Sequence, residues 1–417
     1  MRNILTLLAG NCLGTVVGAV FFLSASRNFS LSQMGLYGVA ISVQWILAGI
    51  AGTGLHVATV RLTTAHLSAG NRAAAAGVVA LAVMTASAIS LSAAAFCLVL
   101  SRVVSLFLPG ELLAMAALWA GGRLVLECVR AGLLVQQQYT RVCLLMCLSA
   151  ITGLGSLGVA FLRGPLTLES LLAAHVFGLG AGAIGGLAFL LPLCDSGIQV
   201  STGRLRELCV YAWWPALSEG SRLVQANIGP FVLVSLAGPV EAGLFSLGRY
   251  PAYLFDMIGV SLFQYWLPAA AREAGNKRLV PFLGRQLQLA GAVGLCLLLS
   301  AVAVRPFLPW LGSNFAAAAS LFVLNALDIA LFVLIRPIEA AYHGLRKPHL
   351  ELLARVSRFP LLLGAALVLA YRFGAVGMVW AQILSNLVAL GVASWLLWRE
   401  LDPGARVQVL NTLYRRG

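Results

Sequence analysis

The chain has 417 residues, of which 60% are hydrophobic and 10% charged, with a formal net charge of +14; its mean hydropathy is +0.92. Soluble domains carry about 25% charged residues, so a water-soluble fold is excluded at the first step. The basic residues are scattered between apolar stretches and form no run, which argues against a nucleic-acid partner. Arginine dominates, with Lys277 and Lys347 as the lysines, a bias that GC-rich codon usage explains in large part.

A helix needs about 20 apolar residues to cross a bilayer. Apolar runs between polar breaks predict helices at 4–25, 34–60, 74–100, 111–135, 142–162 and 168–193, then at 208–236, 242–268, 286–304, 315–339, 351–371 and 376–398. Twelve spans leave about 35 residues for each span with its loop, and no room for a soluble domain. The first run mimics a secretory signal, with Ser24-Ala25-Ser26 resembling a cleavage site. It is long enough to span, and the repeat described below needs it, so it is read as the first helix. The fold expected is all-α and polytopic, with an N-lobe of helices 1–6 (residues 1–200) and a C-lobe of helices 7–12 (residues 201–417).

An even number of spans puts both termini on one side, and loop cations choose which. With the termini inside, the inner segments hold Arg2, Arg61, Arg72, Arg141, Arg204, Arg206, Arg272, Lys277, Arg278, Arg285, Arg346, Lys347, Arg399, Arg406, Arg415 and Arg416. The outer loops hold Arg27, Arg102, Arg163, Arg305 and Arg372. Trp266, Trp395 and Trp398 near inner ends, with Trp310 outside, fit interfacial belts. The cysteines, Cys12, Cys97, Cys128, Cys143, Cys147, Cys194, Cys209 and Cys296, lie in or beside apolar runs without a CxxC pair. They read as small hydrophobes rather than as disulfides or a zinc site.

The two halves align when the second is slid back by 206–209 residues. Met34-Gly35-Leu36-Tyr37 answers Ala242-Gly243-Leu244-Phe245; Arg130 and Arg141 answer Arg336 and Lys347; Leu162-Arg163-Gly164 answers Tyr371-Arg372-Phe373-Gly374. Six spans per half insert both halves the same way, and transporters of that design bind substrate between their lobes.

Ionisable residues inside spans are costly and invite a functional explanation. Arg123, Glu127 and Arg130 share one face of helix 4. Glu219, Arg222 and Gln225 share a face of helix 7, near Asn227 and interrupted by Pro215 and Gly229-Pro230. Arg249, Tyr253 and Asp256 follow each other on helix 8, and Asn325, Asp328, Arg336 and Glu339 on helix 10. The competing reading is a set of neutralised structural pairs, self-sufficient for Arg123–Glu127 at i,i+4 and out of direct reach for Arg249 and Asp256. Arg355 and Arg358, in the first turns of helix 11, are expected to snorkel to the headgroups. His56 and His175 read as packed histidines, since no second ligand accompanies either at metal spacing.

The functional reading is a cationic cleft between the lobes. Arginine suits phosphate because its planar fork donates two hydrogen bonds and keeps its charge when partly desolvated. Arg130 and Arg336 would sit near the inner mouth, with Arg123, Arg222 and Arg249 completing the set and Gln225, Asn227 and Tyr253 beside them. Asp256, Glu219, Asp328 and Glu127 are the candidate ion-coupling carboxylates. No cofactor is expected beyond a proton or sodium gradient.

Gly35-Leu36-Tyr37, the glycine-rich helix 2 through Gly54-Leu55 to Arg61, Gly243-Leu244-Phe245 to Pro268, Ala341-Tyr342-His343-Gly344-Leu345-Arg346-Lys347 and Phe373-Gly374-Ala375-Val376-Gly377 form a diffuse pattern over nearly the whole chain. It resembles the polysaccharide-transporter branch of the MOP flippase superfamily, the Wzx type. The resemblance implies a V-shaped, two-lobe flippase in the bacterial inner membrane, working by alternating access. Its cargo would be an undecaprenyl-pyrophosphate-linked oligosaccharide of O-antigen or exopolysaccharide export. Membrane lipids and a glycan polymerase or assembly protein would be its partners. Drug-exporting MATE relatives use acid-rich cavities, which the arginine excess here opposes. A membrane-embedded glycan polymerase is the other alternative, but such enzymes carry a long outer loop. The longest polar connections here, 194–207 and 269–285, fall on the inner side.

Overall fold

The structure, a computed structural model, describes residues 2–103, 108–195, 197–275, 279–345, 347 and 349–401, with side chains described outside 2–9, 11, 100–103, 194, 260, 264, 267–268, 271–272 and 274–275. The chain divides into two compact units, Met1–Ile228 and Gly229–Gly417. The first holds α1 (Arg2–Asn28), α2 (Leu31–Ser68), α3 (Arg72–Val103), α4 (Gly110–Val135), α5 (Tyr139–Arg163), α6 (Leu168–Cys194) and α7 (Thr202–Asn227). The second holds α8 (Gly229–Leu236), α9 (Pro239–Gly275), α10 (Leu279–Val304), a 3-10 turn (Arg305–Leu311), α11 (Ser313–Gly344) and α12 (His349–Glu400).

Eight of these helices are long and apolar enough to cross a membrane, with a shorter apolar stretch at Cys12–Asn28. The expected helices meet two breaks. Pro230 lacks the N–H that would continue the α7 ladder, so the expected helix 208–236 is divided into α7 and α8. α12 is two arms, 349–373 and 375–400, parted at Gly374 with φ 57° and ψ −135°. That backbone favours glycine, and a Cβ there would run into the Glu241 carboxylate. Glu241 Oε2 accepts the Ala375 N–H at 2.7 Å, capping the second arm with a negative charge where the helix dipole welcomes one.

Local sequence starts the other helices. Ser30 and Gln33 bond reciprocally across the first turn of α2, as Thr167 and Ser170 do for α6, each satisfying donors a helix start leaves open. Large apolar side chains remain on the helix surfaces: Leu91 and Phe96 on α3, Ile151 on α5, Ile184 on α6 and Leu299 on α10 are exposed. In water such a surface would drive aggregation; in lipid it is the ordinary outer face of a helix whose backbone satisfies itself.

In the first unit, Leu55, Ala58 and Leu62 of α2 pack with Val78, Leu81, Leu124, Cys128 and Leu208. α7 packs as part of this first unit. Its approach to α2 is close enough that a Cβ on Gly54 would clash with the Ala212 carbonyl. In the second unit the core gathers Trp266, Val333, Ile338, Tyr342 and Leu396, and the Tyr342 hydroxyl donates to the Ala393 carbonyl at 2.6 Å. Trp266, expected in an interfacial belt, is instead fully buried in that core; apolar neighbours on α10, α11 and α12 outcompete the headgroup layer for its ring. Trp395 is exposed. Of the loop cations that set the expected orientation, Arg2, Arg102, Arg272, Lys277, Arg278, Arg346, Arg406, Arg415 and Arg416 lie outside the described side chains.

Candidate functional site

The candidate site residues of the first unit lie on α4 and α7, with His56 of α2 beside them. Spacing of four and three puts Arg123, Glu127 and Arg130 on one face of α4, but Arg123 does not pair with Glu127. Its guanidinium carbon lies 4.2 Å above the Trp45 ring of α2, a cation–π contact. Glu127 turns to Arg130 at 3.7 Å and to His56 at 3.7 Å, and its backbone carbonyl is 3.2 Å from His56 Nδ1. The expected self-sufficient i,i+4 pair is therefore not formed, because a flat aromatic partner on α2 and a second arginine compete for its two halves. Arg123 is half-buried and makes no ion pair among the described residues.

On α7, Arg222 and Glu219 form a local fork: Nη2 reaches Oε1 at 2.5 Å, and Nε reaches both carboxylate oxygens at 3.0 and 3.1 Å. Gln225 and Asn227 are buried, with the Asn227 amide donating to the Leu223 carbonyl at 2.9 Å. His175 is a packed histidine: Phe21 and Trp119 stack on its two sides at 3.9 and 4.0 Å, and its Nε2 meets the Tyr37 hydroxyl at 2.9 Å.

The second unit arranges its charges differently. Arg249 of α9, 5% exposed, does not use Asp256, which sits two turns along the same helix. Its Nη1 donates to Asp328 of α11 at 2.6 Å, to Asn325 at 3.1 Å and to Gln382 of α12 at 3.0 Å. Tyr253 lies beneath it, with the ring centroid at 5.0 Å. The Asn386 amide donates to the other Asp328 oxygen at 2.5 Å. A lone buried ion costs several kcal/mol, and this amide shell is what makes the pair tolerable.

A second chain of charges runs from α11 to the first arm of α12. Arg336 reaches Glu339 at 3.0 Å, and Glu339 also accepts from Arg355 at 2.9 Å. Arg355 pairs with Glu351, and Glu351 meets His343 at 2.6 Å. Phe332 and Phe263 flank the Arg336 guanidinium at 4.3 and 5.2 Å. Arg355 and Arg358, expected to snorkel outward, are 9% and 7% exposed. Glutamates on two helices hold Arg355 inward, and Arg358 Nε donates to the Ser385 hydroxyl at 3.2 Å.

The structure thus brings Arg249 and Asp328 together and Arg336 together with Glu339, while Arg123 and Arg222 keep to separate helices of the first unit. Sequence reasoning missed Trp45, Glu241, Gln382, Ser385 and Asn386. The last three had a readable signal: polar residues at i, i+3 and i+4 within an apolar span share one helix face.

No protein-family model matches the sequence, and no curated protein does. Solved structures do match in fold. A multidrug resistance MATE family transporter of the MOP superfamily in an inward-facing conformation aligns with a TM-score of 0.75 at 14% identity, covering 95% of both chains. The lipid II flippase MurJ, in an inward closed conformation, aligns with a TM-score of 0.71 at 12% identity, covering 99% of this chain and 91% of that one. A MOP superfamily transporter from Pyrococcus furiosus, whose binding pocket has reverse polarity, gives 0.64 at 14% identity over 97% and 94%. At these identities the likeness is one of architecture, and it is complete: the chain has the all-helical, multi-span fold of the MOP-superfamily transporters and flippases.

Proposed function

We propose that the protein is a flippase that carries an undecaprenyl-pyrophosphate-linked oligosaccharide, an O-antigen or exopolysaccharide unit, across the bacterial inner membrane by alternating access. The observation that carries this reading is Arg123. It is a half-buried arginine held by the Trp45 face and by no carboxylate among the described residues, so its fork remains available to an anion. A pyrophosphate fits that fork bidentately, and the indole excludes water from one side of it, which strengthens the interaction. Arg130 and Arg222, each sharing a carboxylate on its own helix, are the next cations in the same unit. Arg249 and Arg336 serve the reading less directly, because both are tied to acids in the interior of the second unit.

Lipid flippases and drug transporters share this fold, and the pairing of the acids is what favours the first. An exporter of cationic drugs needs an accessible carboxylate. Asp328 is spent on Arg249 and Asn386, Glu339 on two arginines, and Glu127 and Glu219 on neighbouring arginines. The fold likeness to the lipid II flippase is in keeping with a lipid-linked cargo. Coupling to protons or sodium would use Glu127 or Glu219, half-buried and paired with arginines that a bound phosphate would draw away; Asp256 and Asp328 are the other candidates. The loop arginine asymmetry supports termini on the cytoplasmic side, and glycan-polymerizing or assembly proteins are the expected partners.

The test is genetic and chemical. Cells lacking the gene should accumulate a pyrophosphate-linked oligosaccharide on the inner leaflet, and the wild-type gene should clear it. Arg123→Ala should insert normally and fail to clear it, with Arg123→Lys between the two, since an ammonium keeps the charge and loses the fork. A deletion strain without lipid-linked saccharide would end this reading.

A further inference from the structure

Among the described side chains of the second unit that are no more than a tenth exposed, arginines outnumber acids by one. Arg249, Arg336, Arg355 and Arg358 lie in its interior with Asp328, Glu339 and Glu351. The three acids are accounted for: Asp328 by Arg249, Glu339 by Arg336 and Arg355, and Glu351 by Arg355 and His343. Arg358 makes no ion pair among the described residues, and its one polar contact is the Ser385 hydroxyl at 3.2 Å. Asp328, Arg249, Tyr253 and Glu339 are the ionisable groups that act on it electrostatically.

An acid or a lysine left in this position would neutralise itself by gaining or losing a proton. Arginine cannot, because its guanidinium stays protonated in proteins. Asp328 is already bonded to Arg249 and Asn386, and an under-compensated buried charge is unfavourable, so a further counter-charge from outside the protein would be favourable. Two further donors point the same way. Arg249 Nε and Gln382 Nε2 are buried without a hydrogen-bond partner, and both residues connect to Arg358 through a short chain: Arg249 donates to Gln382 Oε1 at 3.0 Å, Ser385 donates to the Gln382 carbonyl at 2.8 Å, and Arg358 donates to Ser385. Asn386 Oδ1 of the same network is an orphan acceptor, but the two orphan donors outnumber it and stand beside a cation, which favours a negative ligand.

We propose that the second unit contains a buried site for a small inorganic anion of the halide class, served by Arg358, Gln382 and Arg249 on α9 and the two arms of α12. Size follows from burial: Arg358 is 7% and Gln382 0% exposed, which suits an ion and excludes a whole lipid headgroup. The anion would neutralise the cluster that ties α9 to both arms of α12, so occupancy would stiffen this unit. The site is independent of the identity of the transported cargo.

The experiment uses the full-length protein in nanodiscs, melted in sodium bromide and in sodium gluconate at equal ionic strength. The expected result is a saturable rise in melting temperature with bromide. Arg358→Gln should weaken the half-saturating bromide concentration about tenfold or more, the loss expected for a charged hydrogen-bond partner, while the exposed Arg163→Gln leaves it unchanged. Ser385→Ala, a milder change, should weaken it less. Because Arg358→Gln could impair folding, crystals of the unaltered protein grown in bromide give a direct readout: an anomalous peak within hydrogen-bond distance of the Arg358 guanidinium. A melting temperature indifferent to bromide, a bromide response equal in wild type and both variants, or anomalous density only elsewhere would overturn the proposal. Stabilisation by inorganic phosphate and not by bromide would also overturn it, reassigning the pocket to a phosphoryl group.

Discussion

The two units solve the problem of arginine in a membrane in opposite ways. In the first, the candidate arginines make few contacts each: Arg123 on one aromatic face of α2, Arg130 loosely on Glu127 at 3.7 Å, Arg222 on the acid one turn before it. In the second, α9, α11 and α12 pool their charges, so that Arg249, Asp328, Asn325, Gln382 and Asn386 form one buried lattice. Local pairs can open without disturbing the packing around them, because little else depends on them. A pooled lattice cannot, since each member leaves another unsatisfied. The difference teaches that an intramembrane arginine is informative about cargo only after its partners are known.

The largest expected effect breaks the lattice. Asp328→Ala should destabilise the second unit by about 3–5 kcal/mol, the cost of leaving a buried arginine without its acid. Thermal melting of the purified protein would read it. Replacing Arg249 and Asp328 together with leucine should recover most of the loss, and no recovery would mean that the lattice does not act as an ion pair.

Arg123→Ala tests the other side of the comparison. It should leave the unfolding stability within about 1 kcal/mol of wild type, the value of a partly exposed cation–π contact, while transport falls roughly tenfold to a hundredfold, as for a lost charged hydrogen bond. A variant that melts early and transports normally would reverse the assignment of roles between the units.

A smaller effect concerns the break in α12. Glu241→Gln should cost about 1 kcal/mol by weakening the charged cap at Ala375. Gly374→Ala should cost more than that, through the disfavoured backbone and the contact with Glu241 together. The smallest effect belongs to the partly exposed pair of Lys347 and Glu400: Lys347→Ala should move the melting temperature little, as is usual for pairs near solvent.

Much of the architecture was legible before any coordinates. Span lengths follow from bilayer thickness, and the punctuation at Gly229-Pro230 and near Gly374 is written in residues that interrupt helices. The packing of α7 on α2 was not legible, because it depends on small residues such as Gly54 whose meaning is set by a helix far away in sequence. The site was legible as a list of residues and not as a set of pairs. Arg249 sits seven residues from Asp256 and chose Asp328, 79 residues on, since only a neighbouring helix can present a carboxylate at the right height. Arg355 and Arg358 read as snorkelling because their inward partners, Glu339 and Ser385, are 16 and 27 residues away. Trp45 carried no signal at all, being one aromatic residue in an apolar span.

The central claim, that the half-buried arginine on α4 serves an anionic lipid cargo, is tested most directly in proteoliposomes. The purified protein would be reconstituted with undecaprenyl-pyrophosphate-linked oligosaccharide, and the fraction reaching the opposite leaflet followed with time. Flipping by the wild type, lost in Arg123→Ala and partly kept in Arg123→Lys at equal protein content, is the predicted result. Equal rates for wild type and Arg123→Ala, or no flipping by either, would contradict it.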